Sequence, residues 1–83
     1  MITFKENKKI YLYSENIDMR MGMKKIQILV ASNFSKMEIR HSVFVFCSNH
    51  GKTIKMYYED DYGSWLLQNK LFEGKFKWPK GLC

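Results

Sequence analysis

The sequence predicts an α+β fold, one amphipathic helix packed on an antiparallel sheet in a strand-helix-strand meander order, and three observations carry that prediction. Met19, Gly22, Met23, Ile26, Leu29, Val30 and Asn33 fall on one face of a helical wheel. Val43-Phe44-Val45-Phe46 is apolar at every position, as a strand covered on both faces would be. Thr53 to Glu59 alternates, with Ile54, Met56 and Tyr58 on one face and Thr53, Lys55 and Glu59 on the other. A helix lying on one face of the sheet buries both apolar stripes. The chain of 83 residues has room for one small core, so residues 1–83 are expected to form a single domain with its core roughly between 9 and 79. A core of that size is helped by a partner or an oligomer.

Taken in order, Lys9-Ile10-Tyr11-Leu12-Tyr13 reads as a first strand, followed by a short loop at Ser14-Glu15-Asn16. Asp18 stands where a helix N-cap is expected, its carboxylate facing the free amides of the first turn. Gly22 inside the helical stripe costs about 1 kcal/mol of propensity, which a close approach of helix to sheet would explain. Asn33 reads as the end of the helix, and 32–40 as a polar connection. After the second strand, Asn49-His50-Gly51-Lys52 and Asp60-Asp61-Tyr62-Gly63 supply turns. Another run starts at Trp65, and Lys75-Phe76-Lys77-Trp78-Pro79 then alternates basic and aromatic residues.

The net charge of +6, from 14 basic and 8 acidic residues, favours polyanions or acidic protein surfaces as partners. Arg20 and Arg40 are the two arginines and the rest are lysines. Lysine is a point charge near phosphate, whereas bidentate reading of guanine is mainly arginine work. Attraction to a nucleic-acid backbone is therefore expected to outweigh base readout. No apolar run is long enough to cross a bilayer and the start lacks a signal-peptide core, so no membrane contact and a cytoplasmic location are expected. Cys47 and Cys83 form no framework and read as a structural thiol and a tail thiol.

Residues able to carry chemistry are sparse. Asp18 and Arg20 suggest either an anion-binding helix start or a cap beside a solvated arginine, and the second fits better because Asp18 fills the site with its own charge. Glu59-Asp60-Asp61 is a carboxylate run, but a metal-dependent nuclease needs such groups converging from different elements. His41 and His50 have no ligands at zinc spacing, and no nucleophile-elbow or phosphate loop is present. No catalytic residue, metal or cofactor is expected. The strongest binding signal is Lys70, Lys75, Lys77 and Lys80 interleaved with Phe72, Phe76 and Trp78. Such a strand edge could track phosphates, or its lysines could simply discourage edge-to-edge aggregation.

The motifs, in their order, resemble the Orf2-like (TnpB-type) accessory protein of the insertion sequence 66 transposon family. They stand here as Ile10-Tyr11-Leu12, Asp18-Met19-Arg20-Met21-Gly22, Val43-Phe44-Val45-Phe46, Ile54-Lys55-Met56-Tyr57-Tyr58, Asp60-Asp61-Tyr62-Gly63 and Gly74-Lys75-Phe76-Lys77-Trp78-Pro79. The resemblance spans Ile10 to Pro79 and marks Asp18, Met19, Gly22, Gly63, Gly74, Phe76, Trp78 and Pro79 as structural positions. The family usually has a lysine where Met21 stands, basic residues at 49–52, Lys-Arg at 69–70 and often an acid where Phe72 stands, so positive charge is thinned here. Members commonly continue past the W-P element, so the chain reads as a short copy. The resemblance implies a bacterial, non-enzymatic accessory protein for DNA transposition, working beside the transposase encoded by the same element. The DNA-binding candidates are Arg20, Lys24, Lys52, Lys55, Lys70, Lys75 and Lys77. The alternative is a pure protein-interaction module that docks the sheet edge and Tyr57, Tyr62 and Trp65 on the transposase without touching nucleic acid.

Overall fold

The computed structural model describes residues 8–77. Within them the elements run β1 (Lys9–Asn16), α1 (Met23–Asn33), α2 (Lys36–Arg40), β2 (Ser42–Cys47), β3 (Thr53–Glu59) and β4 (Ser64–Lys70). The strands form one sheet in the order β1-β2-β3-β4. This is an α+β domain, but its sheet is mixed. β2–β3 and β3–β4 are antiparallel, as expected for a meander, whereas β1 lies parallel to β2, with Ile10 beside Val43 and Leu12 beside Val45. The reason is the length of the connection. A hairpin turn reverses the chain, but a segment carrying two helices brings it back to the end where β1 began, and β2 then starts in the same direction. β1 also runs through Ser14-Glu15-Asn16, the stretch expected to be a loop, with an irregularity in pairing between Leu12 and Asn16.

The helix starts later than the sequence suggests. Residues 19–22 are not helical, and Gly22 is the N-cap of α1 without a side-chain cap. Asp18 spends its carboxylate locally instead, accepting from the Arg20 backbone amide at 2.8 Å and from its guanidinium. A Cβ placed on Gly22 would meet nothing within 4 Å, so close packing on the sheet is not why glycine stands there. The stripe itself holds: Ile26 and Val30 are buried, with Met23 and Leu29 packed against them. Asn33 is exposed and turns its amide back onto the Leu29 carbonyl, and Phe34 is the C-cap. The polar connection contains the second helix, α2, started by a capping box. Ser35 Oγ accepts from the Glu38 amide while the Glu38 carboxylate accepts from the Ser35 amide. The Ser35 amide, and after it the Ser35 hydroxyl, hold the Glu38 carboxyl below the usual carboxylate range.

Every residue of β2 is buried, as a strand covered on both faces requires. Phe44 and Phe46 face the helices with Ile26, Val30, Ile39 and Tyr57. Val43 and Val45 face the other way with Tyr58, Leu12, Ile54, Met56 and Leu67. The helix therefore covers the face of β3 that carries Thr53, Lys55 and Tyr57. Tyr57 is fully buried, so it is not available for docking on a partner. Cys47 is buried as expected, but it is disulfide-bonded rather than a free thiol; Cys83, read as a tail thiol, lies outside the described residues.

Candidate nucleic-acid interface

The sheet has two ends of different character. At one lie the β2–β3 turn, the close of β4 and the segment that follows it. At the other lie the β3–β4 turn, the start of β2 and α2. The first end gathers lysines through backbone contacts. Gly51 adopts φ 73°, a conformation that favours glycine, and the Lys75 side chain lies against it, 3.5 Å from where a Cβ would stand. The Phe76 amide donates to the Gly51 carbonyl at 2.7 Å, and the Leu71 amide to the Lys52 carbonyl at 2.9 Å. Lys70 sits opposite Thr53 in the register. Lys52, Lys70 and Lys75 thus lie at the same end of the sheet, all three exposed. Among the described residues no carboxylate lies within ion-pair distance of any of them. Gly74, at φ 79°, makes the bend that returns Lys75 to this turn.

Arg20 and Lys24 lie either side of Met21, whose carbonyl accepts from Lys55 Nζ and so ties their loop to β3. Both are exposed. Arg20 is paired with Asp18 at 2.6 Å in a solvated bridge, of small worth to stability. That pairing, with the amide contact second, draws Asp18 down to about 2, and the Asp18 carboxylate in turn pushes Arg20 up. Lys77 is exposed and Phe76 half-buried, while Trp78, Pro79 and Lys80 lie outside the described residues. Lys55 does not belong to the surface. It is 6% exposed, its stem in the core beneath α1 and its ammonium on a carbonyl, so it is withdrawn as a contact for DNA.

Beside the lysines an open groove of about 480 Å³ is lined by Asn16, Ile17, Asp18, Met19, Ser48, Asn49 and His50. The Asp-Met motif forms one wall and the β2–β3 turn the other. Within it Ser48 Oγ accepts from the Thr53 amide at 3.2 Å and contacts His50 Nδ1 at 3.2 Å. The Lys52 amide also points at His50 Nδ1, 3.4 Å away, which makes that nitrogen the acceptor for the serine hydroxyl. The serine is buried, so this pair staples the turn and presents no nucleophile.

At the opposite end the carboxylates are engaged by neighbours and diverge. Asp60 accepts from the Tyr62 and Gly63 amides and from Trp65 Nε1 at 2.8 Å, contacts that lower its pKa, the Tyr62 amide most. Gly63 closes this turn through its carbonyl, which accepts from the Asp60 amide. Asp61 pairs with Arg40, and Glu59 accepts from the Tyr57 hydroxyl, which also reaches Ser64 Oγ at 3.3 Å. Burial, with that carboxylate beside it, pushes the Tyr57 hydroxyl up. Among the described residues no group of three or more His, Cys, Asp or Glu side chains could hold a metal ion.

The comparisons with known proteins agree with the motif order. The sequence model described as "IS66 Orf2 like protein" matches residues 8–82. The chain belongs to the IS66 Orf2-like family. It is also 27% identical over 79 residues to an uncharacterized protein, y4hO, of Sinorhizobium fredii, covering 95% of this chain and 69% of that protein. No solved structure matches. The family is one of transposition accessory proteins, implying association with the transposase of its element. No helix among the described residues is long and apolar enough to cross a membrane.

The lysine candidates were legible as a group, but the positions that assemble them were not. The signal that could have paired them is Gly51 and Gly74, two glycines in turns on either side of β3 and β4.

Proposed function

We propose that this accessory protein holds DNA by its phosphate backbone at the lysine end of the sheet, through Lys52, Lys70 and Lys75, with Arg20, Lys24 and Lys77 extending the surface. The observation that carries the reading is that Lys52, Lys70 and Lys75 share one end of the sheet, Lys75 lying against Gly51, without carboxylates among the described residues to neutralise them. Ammonium groups on long stems suit phosphates and carry little sequence information. Binding is therefore non-specific, on the order of 10⁻⁴–10⁻⁶ M at physiological salt, and falls steeply as salt rises.

The test is fluorescence anisotropy with labelled duplexes of unrelated sequence across a salt series. Wild type binds all duplexes alike, and the double variant Lys52→Ala/Lys75→Ala loses affinity and flattens the salt slope by about 1 for each phosphate contact removed. Binding that is absent at low salt, or indifferent to both substitutions, contradicts the reading.

A second reading is favoured by the exposed rings of Tyr62 and Trp65, at 87% and 46%, beside the start of β4. There the protein docks on the transposase and the lysines serve solubility. Retention of the transposase after nuclease treatment, lost on Trp65→Ala with Lys52 and Lys75 intact, supports it; no retention removes it.

A further inference from the structure

We propose that β4 pairs with the β4 of a second copy of this chain, antiparallel and about a two-fold axis at Leu67, joining two four-stranded sheets into one. The two outer strands of the sheet differ as edges. β1 is blunted as an edge: its pairing is irregular between Leu12 and Asn16, and Lys9 and Glu15 lie along it. β4 carries none of these devices over most of its length. Its register against β3 runs unbroken from Ser64 to Lys70, and Lys70, the final residue, is its one charge. Among the described residues no element pairs with its outer side.

Which backbone groups face outward follows from the ladder. The Leu71 amide donates to Lys52 and the Asp60 amide to Gly63, so the hydrogen-bonded pairs between β3 and β4 fall at alternate positions that include Trp65, Leu67 and Asn69. Ser64, Leu66, Gln68 and Lys70 therefore turn their N–H and C=O groups away from β3. With the axis at Leu67, Leu66 faces the partner copy's Gln68 and Ser64 its Lys70, each pair matching outward donors with outward acceptors over the whole strand. Leu67 meets itself at a non-hydrogen-bonded position.

Two features select a second copy as the occupant. The first is the apolar face. Leu67 packs with Val43, Val45, Met56 and Tyr58, so the pairing continues that layer from one copy into the next and keeps every side chain on its own face. The second is charge. Ser64 lies opposite Glu59, and antiparallel pairing sets the second copy's Lys70 beyond Ser64 in the same cross-strand row. The lysine end of each copy thereby approaches the carboxylate end of the other, twice, as a two-fold contact requires. Lys52 and Lys75 sit on the turn beyond the paired edge, so this contact leaves them exposed.

Light scattering or sedimentation over a rising concentration series tests the pairing, together with two kinds of variant. Wild type moves toward the mass of two chains. Gln68→Pro removes an outward donor that β3 does not use, on an edge strand where proline is tolerated, and stays at the mass of one chain with unchanged far-UV circular dichroism. Leu67→Cys links to itself under mild oxidant, because facing Cα atoms at such a position are about 4.5 Å apart, within disulfide reach. Asn69→Cys, which faces Trp65 of the other copy, does not. Peptide mass analysis identifies the 67–67 link against the chain's own cysteines. A wild type that stays at one-chain mass at the highest concentration overturns the proposal. So does a dimer that Gln68→Pro leaves intact, a 67–67 link no stronger than 69–69, or an edge filled only by transposase. Should Gln68→Pro lose its fold, the cysteine pair decides alone.

Discussion

Lys52 and Lys55 stand three positions apart in the same stretch, and the fold uses them in opposite ways. Lys52 is exposed on a turn, at the end of the sheet that also carries Lys70 and Lys75. Lys55 is buried beneath α1, its ammonium donating to the Met21 carbonyl in the loop that leads into the helix. One is a charge left to solvent and partners; the other fastens a loop to the sheet. The difference teaches that net charge on a small domain says little about its binding surface until the burial of each lysine is known.

The largest expected effect breaks the buried member. Lys55→Glu sets an unpaired carboxylate against the Met21 carbonyl and is expected to cost about 3–5 kcal/mol, a large part of the stability of a chain this size. Thermal melts read it as loss of most of the folded signal at ordinary temperature. Lys52→Glu, by contrast, changes stability by less than about 0.5 kcal/mol while it weakens DNA binding several-fold. A Lys55→Glu protein that melts like wild type would erase the distinction. Next in size, Ser35→Ala removes the capping box of α2 and lowers stability by about 1 kcal/mol, without changing DNA affinity, because α2 lies at the far end of the sheet. The smallest effect concerns Asp18. Its folded pKa of about 2 lies below its ordinary 3.8, so the Arg20 contact contributes stability above pH 4 that is lost as pH falls toward 2. Asp18→Asn removes that pH dependence, and the gap between wild-type and variant melting temperatures closes across that window. The gap is small because both groups are solvated.

Much of the fold was legible in the residues themselves. β2 announced itself by four consecutive apolar residues, and Ile26 and Val30 kept helical period against it. What local sequence could not give was the outcome of choices made at a distance. Asp18 has the chemistry of an N-cap, but it can satisfy the Arg20 amide and guanidinium without a helix, and nothing nearby reveals that it does. β1 gives no sign of its direction, which the length and path of the connection decide. Lys55 reads as one of the basic candidates because alternation divides β3 into two faces without saying which of them the helix covers. The helix took the face of Lys55, where Tyr57 completes the layer of Phe44 and Phe46. The lysines were legible as composition but not as a place, since Lys75 comes back to the β2–β3 turn only through the turn that Gly74 makes and the contact that Gly51 permits.

The most direct test of the contrast is to watch the lysines one by one. In NMR spectra of the ammonium and adjacent methylene groups, recorded as a short duplex is added at low salt, Lys52 and Lys75 are expected to shift saturably and to revert on adding salt, while Lys55 stays in place. Shifts confined to Lys36 at the opposite end, or no lysine shifting at all, would contradict the account.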